Sequence, residues 1–154
     1  MRINILVVIA FLSLVWSLPI LASTELPACL QPNGNPVPIF YSVDNCRETA
    51  CAQIRKDGKE WRITINPTQF AMFPALMQRF IMLHECGHLN LGHRQAGNVA
   101  YEVAADCWAM NAASKKGFSK KDRNDIVNFM RSNSDKHLYR ANALYSCVPF
   151  YSFK

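Results

Sequence analysis

The spacing of apolar residues changes along the chain, and each change marks an element. Ile5 to Trp16 is apolar throughout except for Ser13. Arg2 precedes this run, Pro19 follows it, and Leu21-Ala22-Ser23 offers small residues before Thr24. The run is nearer the length of a signal-peptide core than of a membrane span. Residues 1–23 therefore read as a signal peptide, with a retained N-terminal membrane anchor as the alternative. Residues 24–154 then form a single domain. Its first part, residues 24–46, holds Pro27, Pro32, Pro36, Pro38 and the turn signal Asn33-Gly34, and reads as an extended, irregular arm.

Alternation of polar and apolar residues begins at Ala52 and lasts to Asn66. Gln53-Ile54-Arg55 and Trp61-Arg62-Ile63-Thr64-Ile65 flank Lys56-Asp57-Gly58-Lys59, which predicts a β-hairpin with an Asp-Gly turn. Beyond Pro67 the period lengthens. Leu76, Met77, Phe80, Ile81, His84, His88 and Leu91 recur at helical spacing up to Gly92, behind Pro74 as a first-turn proline. A second helix is expected from Asn98 to about Ala113, with Val99, Val103, Ala104, Cys107 and Trp108 as its apolar side and Gly117 beyond its end. Ser119-Lys120-Lys121-Asp122 resembles a capping box and opens a third helix through Ile126, Val127, Phe129 and Met130. A last helix is expected over Leu138–Cys147. The hairpin-then-helices order predicts an α+β fold, a small antiparallel sheet packed on a helical core.

Composition narrows the class. Half of the 154 residues are hydrophobic and 18% are charged, as in a folded globular chain rather than a disordered one. The net charge is +6, and it is unevenly spread. Residues 115–140 hold Lys115, Lys116, Lys120, Lys121, Arg123, Arg131, Lys136 and Arg140 against Asp122, Asp125 and Asp135. This stretch reads as a solvated basic face, or as a surface for an anionic envelope partner. Nucleic acid is not expected, because no basic-aromatic motif accompanies the charge. Cys29, Cys46, Cys51, Cys86, Cys107 and Cys147 all follow the expected cleavage point, and an even count in an exported chain favours disulfides. Cys29 is the natural anchor for the arm, and Cys46 and Cys51 would close a local loop. Cys107 has either Cys147 or Cys86 as partner.

The chemistry is concentrated in Leu83-His84-Glu85-Cys86-Gly87-His88-Leu89, an HExxH sequence. With this composition such a pattern arises by chance about 0.003 times in a chain of this length. Residues four apart on a helix lie about 40° apart around the axis and 6 Å apart along it, so His84 and His88 can share one metal ion. Glu85 is turned away from them and suits a general base acting on a metal-bound water. Apart from Glu85 no charge lies between Arg79 and Arg94, so the helix will be buried, and buried imidazoles and carboxyls need partners. Cys86, about 200° from His84, falls on the back of the site.

A catalytic zinc takes three protein ligands and keeps one position open. Glu102 is the expected third ligand. It opens Glu102-Val103-Ala104-Ala105-Asp106, whose i,i+4 spacing puts both acids on one face. Asp106 is then placed to accept the second N–H of a ligating histidine. His93, five residues after His88, competes for the third position or simply sits at the helix C-terminus, where the dipole favours it. An electrophile for the oxyanion is sought among His137, Tyr101, Tyr139 and Arg140.

His84-Glu85-Cys86-Gly87-His88 followed by Glu102-x-x-Ala105-Asp106 resembles the gluzincin metallopeptidases, and within them the minimal zincin domains of the M48-like and ImmA/IrrE-like families. The resemblance covers roughly Ile63 to Met110. It implies a zinc peptidase with one Zn2+ bound by His84, His88 and Glu102, with Glu85 as general base and with Asp106 as orienter, and the signal peptide read at residues 1–23 makes it an exported one, periplasmic or secreted. It also implies a peptide or protein substrate bound as an added strand on the hairpin edge. His137-Leu138-Tyr139-Arg140 is weakly similar to a substrate-gripping segment of the M48-like enzymes, with Leu138 where that segment has proline. Two other readings stay open from the residues: a zinc-stabilised, basic binding module without proteolysis, and a metal-free disulfide-rich structural protein.

Overall fold

Ile63 and Ile65 are fully buried on the middle strand of a three-stranded sheet, and the rest of the fold is arranged around that sheet and one helix. The computed structural model describes residues 26–46, 48–54, 61–94, 97–133 and 135–147. The expected signal peptide and the Lys56–Lys59 turn lie outside these residues. The strands are β1 (Ile39–Tyr41), β2 (Ala50–Ile54) and β3 (Trp61–Ile65), in the order β1-β3-β2. β2 and β3 form the expected antiparallel hairpin, with Ala50 opposite Ile65, Ala52 opposite Ile63 and Ile54 opposite Trp61. β1 adds in parallel to the other side of β3, Ile39 opposite Ile63 and Tyr41 opposite Ile65. The sheet is therefore mixed, and the arm read as irregular supplies its third strand. A three-residue strand is too short to show alternation, and all three of its residues are exposed.

The fold is α+β. Among the described residues five helices follow the sheet: α1 (Pro67–Phe70), α2 (Ala75–Asn90), α3 (Val99–Lys115), α4 (Lys120–Asn133) and α5 (Asp135–Cys147). None is long and apolar enough to cross a membrane. α1 is a single turn capped by Asn66, whose side chain accepts from Gln69 N. Ser119 and Asp122 make the reciprocal capping box at α4: Asp122 Oδ2 accepts from Ser119 N at 2.8 Å, and Ser119 Oγ accepts from Asp122 N at 3.1 Å.

α2 lies between two halves of the core. Met77, Phe80 and Leu83 pack with α3, α4 and α5 around Met110, Ile126 and Leu144. Met82, Cys86 and Leu89 pack against the sheet through Ile63 and Ile65. Residues 82–87 are all buried, so polar groups there need partners within the protein. α3 meets α2 through a face the sequence reading placed differently. The buried positions are Ala105, Asp106, Ala109, Met110 and Ala113, whereas Val99 is half exposed. Ala105, Ala109 and Ala113 recur every four residues, and their small size lets the two helix axes approach.

Three disulfides tie the layers together. Cys29–Cys86 holds the arm on α2, Cys46–Cys51 closes the loop before β2, and Cys107–Cys147 joins α3 to the end of α5. The Cys86–Cys107 alternative is thereby excluded. Cys86 faces the sheet side of α2, while Cys107 is drawn to α5.

Candidate metal centre

The site is made where the C-terminal half of α2 runs against the first two turns of α3. Asn98 starts α3 there, its side chain accepting from Ala100 N at 2.9 Å and Tyr101 N at 3.4 Å. This fixes the first turn, which carries Glu102, and an acid in a first turn is favoured by the helix dipole. Gly87 lets the helices close. A Cβ there would lie 2.9 Å from the Ala105 carbonyl oxygen.

His84 Nε2 and His88 Nε2 are 2.9 Å apart. Glu102 reaches both, with Oε2 3.3 Å from His84 Nε2 and Oε1 3.5 Å from His88 Nε2. One ligand atom from each of the three residues falls within 4.8 Å of the others, so the group could hold a metal ion. The outward-facing nitrogen of each imidazole is also engaged. His84 Nδ1 is 2.7 Å from Asp106 Oδ1, and His88 Nδ1 is 2.9 Å from His93 Nδ1. A carboxylate only accepts, so His84 carries a proton on Nδ1 and, when neutral, offers a lone pair at Nε2.

Arg140 on α5 ties the two acids of α3 together. Its Nε donates to Asp106 Oδ2 at 2.7 Å and its Nη2 to Asp106 Oδ1 at 2.8 Å, the bidentate fork that guanidinium and carboxylate favour. Its Nη1 lies 3.1 Å from Glu102 Oε2. The guanidinium is thus committed to two carboxylates of its own chain.

Electrostatics follow from burial and from these pairs. Burial opposes the charge on His84, but the Asp106 and Glu102 carboxylates override it and push its pKa to about 10. Burial also opposes the charges on Glu102 and Asp106. Glu102 is nevertheless held well below the usual carboxylate range by His84, His88 and Arg140, and Asp106 is held down by Arg140 and His84. Glu85 differs. Burial raises its pKa further than His84, His88 and the Ala52 amide lower it. Its Oε2 accepts from Ala52 N at 2.6 Å, off the outer edge of β2. Glu102 and Asp106 are thus held ionised against Arg140 and the proton on His84, a proton that a bound cation would displace.

A cavity of about 450 Å³ adjoins the group. Phe73, Met77, Phe80, Ile81, Phe129 and Met130 line its apolar part, and its polar part includes His84, Glu102, His137 and Arg140 together with Glu48, Thr49, Gln69 and Asn133. Tyr139 does not join them. His137, Arg140, Ala141 and Leu144 share the inward face of α5, and Tyr139 on the outer face is 64% exposed. Tyr101 turns toward the end of α2, where it stacks on His93 with ring centroids 4.3 Å apart. His93 is therefore engaged with His88 and Tyr101 and falls outside the ligand group. The His88–His93 contact and the Ala52–Glu85 bond were not legible from helical periodicity. Leu91-Gly92-His93, a helix-ending glycine followed by a histidine, was the available signal for the first. Comparison of the chain with protein-family models, with curated proteins and with solved structures found no match.

Proposed function

We propose that the chain is an exported zinc-dependent peptidase. The observation that carries this reading is the convergence of His84 Nε2, His88 Nε2 and the Glu102 carboxylate within 4.8 Å, beside a cavity with a large apolar part. Two imidazole nitrogens and one carboxylate suit zinc, and three protein donors are the number a catalytic zinc takes. Once His84 gives up its proton, the ionised Glu102 and Asp106 outnumber the Arg140 guanidinium, which fits a divalent cation. His84, His88 and Glu102 would hold the ion. When bound, zinc supplies Lewis acidity, lowering the pKa of water and polarising a carbonyl.

The chain's own groups do the rest. Asp106 keeps the proton of His84 on Nδ1, and Arg140 keeps Asp106 and Glu102 in place. Glu85, buried and with its pKa raised, is suited to take a proton from water at one carboxylate oxygen and pass it to a leaving amine. Its other oxygen is steadied by Ala52 N. β2 is an outer strand of the sheet among the described residues, so its outer edge, flanking the Ala52–Glu85 bond, is where a peptide would add as a further strand. The apolar part of the cavity would receive a bulky apolar side chain of that peptide. His137 lines the polar side of the cavity and is the group proposed for the oxyanion. The three disulfides suit an oxidising compartment, in keeping with export, periplasmic or secreted.

Arg123 is 2% exposed and Arg140 belongs to the site, so the basic face that a non-catalytic module would use is carried by Lys115, Lys116, Lys120, Lys121 and Arg131. The two readings separate on one experiment. The zinc-loaded protein should cleave members of a peptide library, and Glu85→Gln should keep zinc while losing turnover by about 10²- to 10⁴-fold. A Glu85→Gln variant as active as the wild type, or a zinc-loaded wild type that cleaves nothing, would refute the peptidase reading.

A further inference from the structure

The end of α2 is built in a way that bears on His88. Leu91 is the C-cap, and Gly92 follows at φ +68°, a backbone conformation that side chains disfavour. Gly92 N donates to Leu89 O at 3.2 Å, and His93 N donates to His88 O at 3.0 Å. This is a Schellman pair, in which the residue after the left-handed glycine is carried back over the residue five positions earlier. Those two positions commonly hold an apolar contact. Here they hold His88 and His93, with Nδ1 atoms 2.9 Å apart and rings inclined at 67°. The ring of Tyr101 lies on His93 at 4.3 Å and 10° from parallel, so His93 is gripped between the end of α2 and the residue preceding Glu102.

The direction of the hydrogen bond follows from what His88 does with its other nitrogen. Nε2 faces His84 Nε2 and Glu102 Oε1. A neutral imidazole that offers Nε2 as a donor of electrons carries its proton on Nδ1. That proton meets His93 Nδ1, which accepts it. His84 has Asp106 in the equivalent role, so each histidine of the group has its own acceptor, one a carboxylate and one an imidazole.

We propose that His93 is a positioning residue for His88, accepting its Nδ1–H and fixing both tautomer and ring plane for metal binding. The proposal rests on the reading of His84, His88 and Glu102 as a metal centre. Three substitutions test it. Asn places a side-chain oxygen about where His places Nδ1, Gln places its amide one bond further out, and Leu has no acceptor. Zinc affinity is measured by competition with a chromophoric chelator. A ¹⁵N–¹⁵N coupling across the His88–His93 hydrogen bond is sought by NMR in the zinc-free protein.

His93→Leu and His93→Gln should each weaken zinc binding by about 10- to 100-fold, the usual effect of removing an outer partner of a ligating histidine. His93→Asn should restore most of that loss, and the wild type should show the coupling. Should His93→Leu not fold, His93→Gln decides the same question. Zinc affinity unchanged in His93→Gln, or lost equally in His93→Asn, would overturn the proposal, as would absence of the coupling. A wild type that shows the coupling yet takes up no zinc would instead overturn the metal-centre reading, and with it any ligand-positioning role.

Discussion

Gly87 on α2 lies against Ala105 on α3 so closely that a Cβ on Gly87 would stand 2.9 Å from the Ala105 carbonyl oxygen and 3.2 Å from its Cα. Both obstructing atoms are backbone, so neither can swing aside. Gly87→Ala should therefore push α3 outward and carry Glu102 away from His84 and His88. A cost of about 1–3 kcal/mol in urea unfolding is expected from the overpacking, together with weaker zinc binding in the folded protein. Unchanged affinity would mean that the close approach of the helices does not set the ligand geometry.

Arg140 and Asp106 form a buried bidentate pair, the side chain of Asp106 being 1% exposed. Removing the guanidinium leaves that carboxylate facing His84 alone. Arg140→Met should cost about 3–5 kcal/mol in chemical denaturation, the usual penalty for breaking a buried ion pair on one side. A cost below about 1 kcal/mol would show that water reaches Asp106.

The zinc-free protein should lose stability as pH rises. Burial opposes the charge on His84, but Asp106 and Glu102 raise its folded pKa from 6.5 to about 10. A raised pKa stabilises the folded state fully below the unfolded value, and the contribution fades as pH climbs through the folded value. Thermal melts of chelated protein should therefore fall between about pH 6.5 and pH 10. Zinc must displace the same proton, so its affinity should rise over that window by up to about tenfold per pH unit. Melts that rise with pH would contradict the pairing of His84 with Asp106.

Cys29–Cys86 spans 57 residues of sequence and pins the arm that carries β1 to the back of α2. Replacing both with serine should lower stability by about 2–5 kcal/mol. His84 and His88 face away from that disulfide, so zinc binding by the folded fraction should persist. Loss of zinc binding in a well-folded variant would mean that the arm orients α2.

The sequence made the hairpin legible because β3 alternates clearly, and α2 because its apolar and histidine positions keep one period through the motif. Glu102 and Asp106 were legible through i,i+4 spacing on one helix, and both lie at the group. What stayed hidden depended on contacts between elements. β1 is three residues long and draws its identity from pairing with β3. Three of the five buried positions of α3 are alanines, which carry little hydropathic signal, whereas Val99 stands out in the sequence and is half exposed in the fold. Arg140 read as part of the basic stretch and as a candidate for the oxyanion, because nothing along the chain reveals that α5 turns it onto Asp106. Tyr139, its neighbour, has the chemistry sought for the oxyanion but the wrong face of the helix.

Zinc titration of chelator-stripped protein, followed by calorimetry, addresses the centre itself. The wild type should take up one equivalent, and His84→Ala, His88→Ala and Glu102→Ala should each abolish or severely weaken that uptake while leaving the disulfide-braced fold intact by circular dichroism. A wild type that binds no zinc, or three folded variants that bind it as tightly as the wild type, would contradict the assignment of these residues as a metal centre.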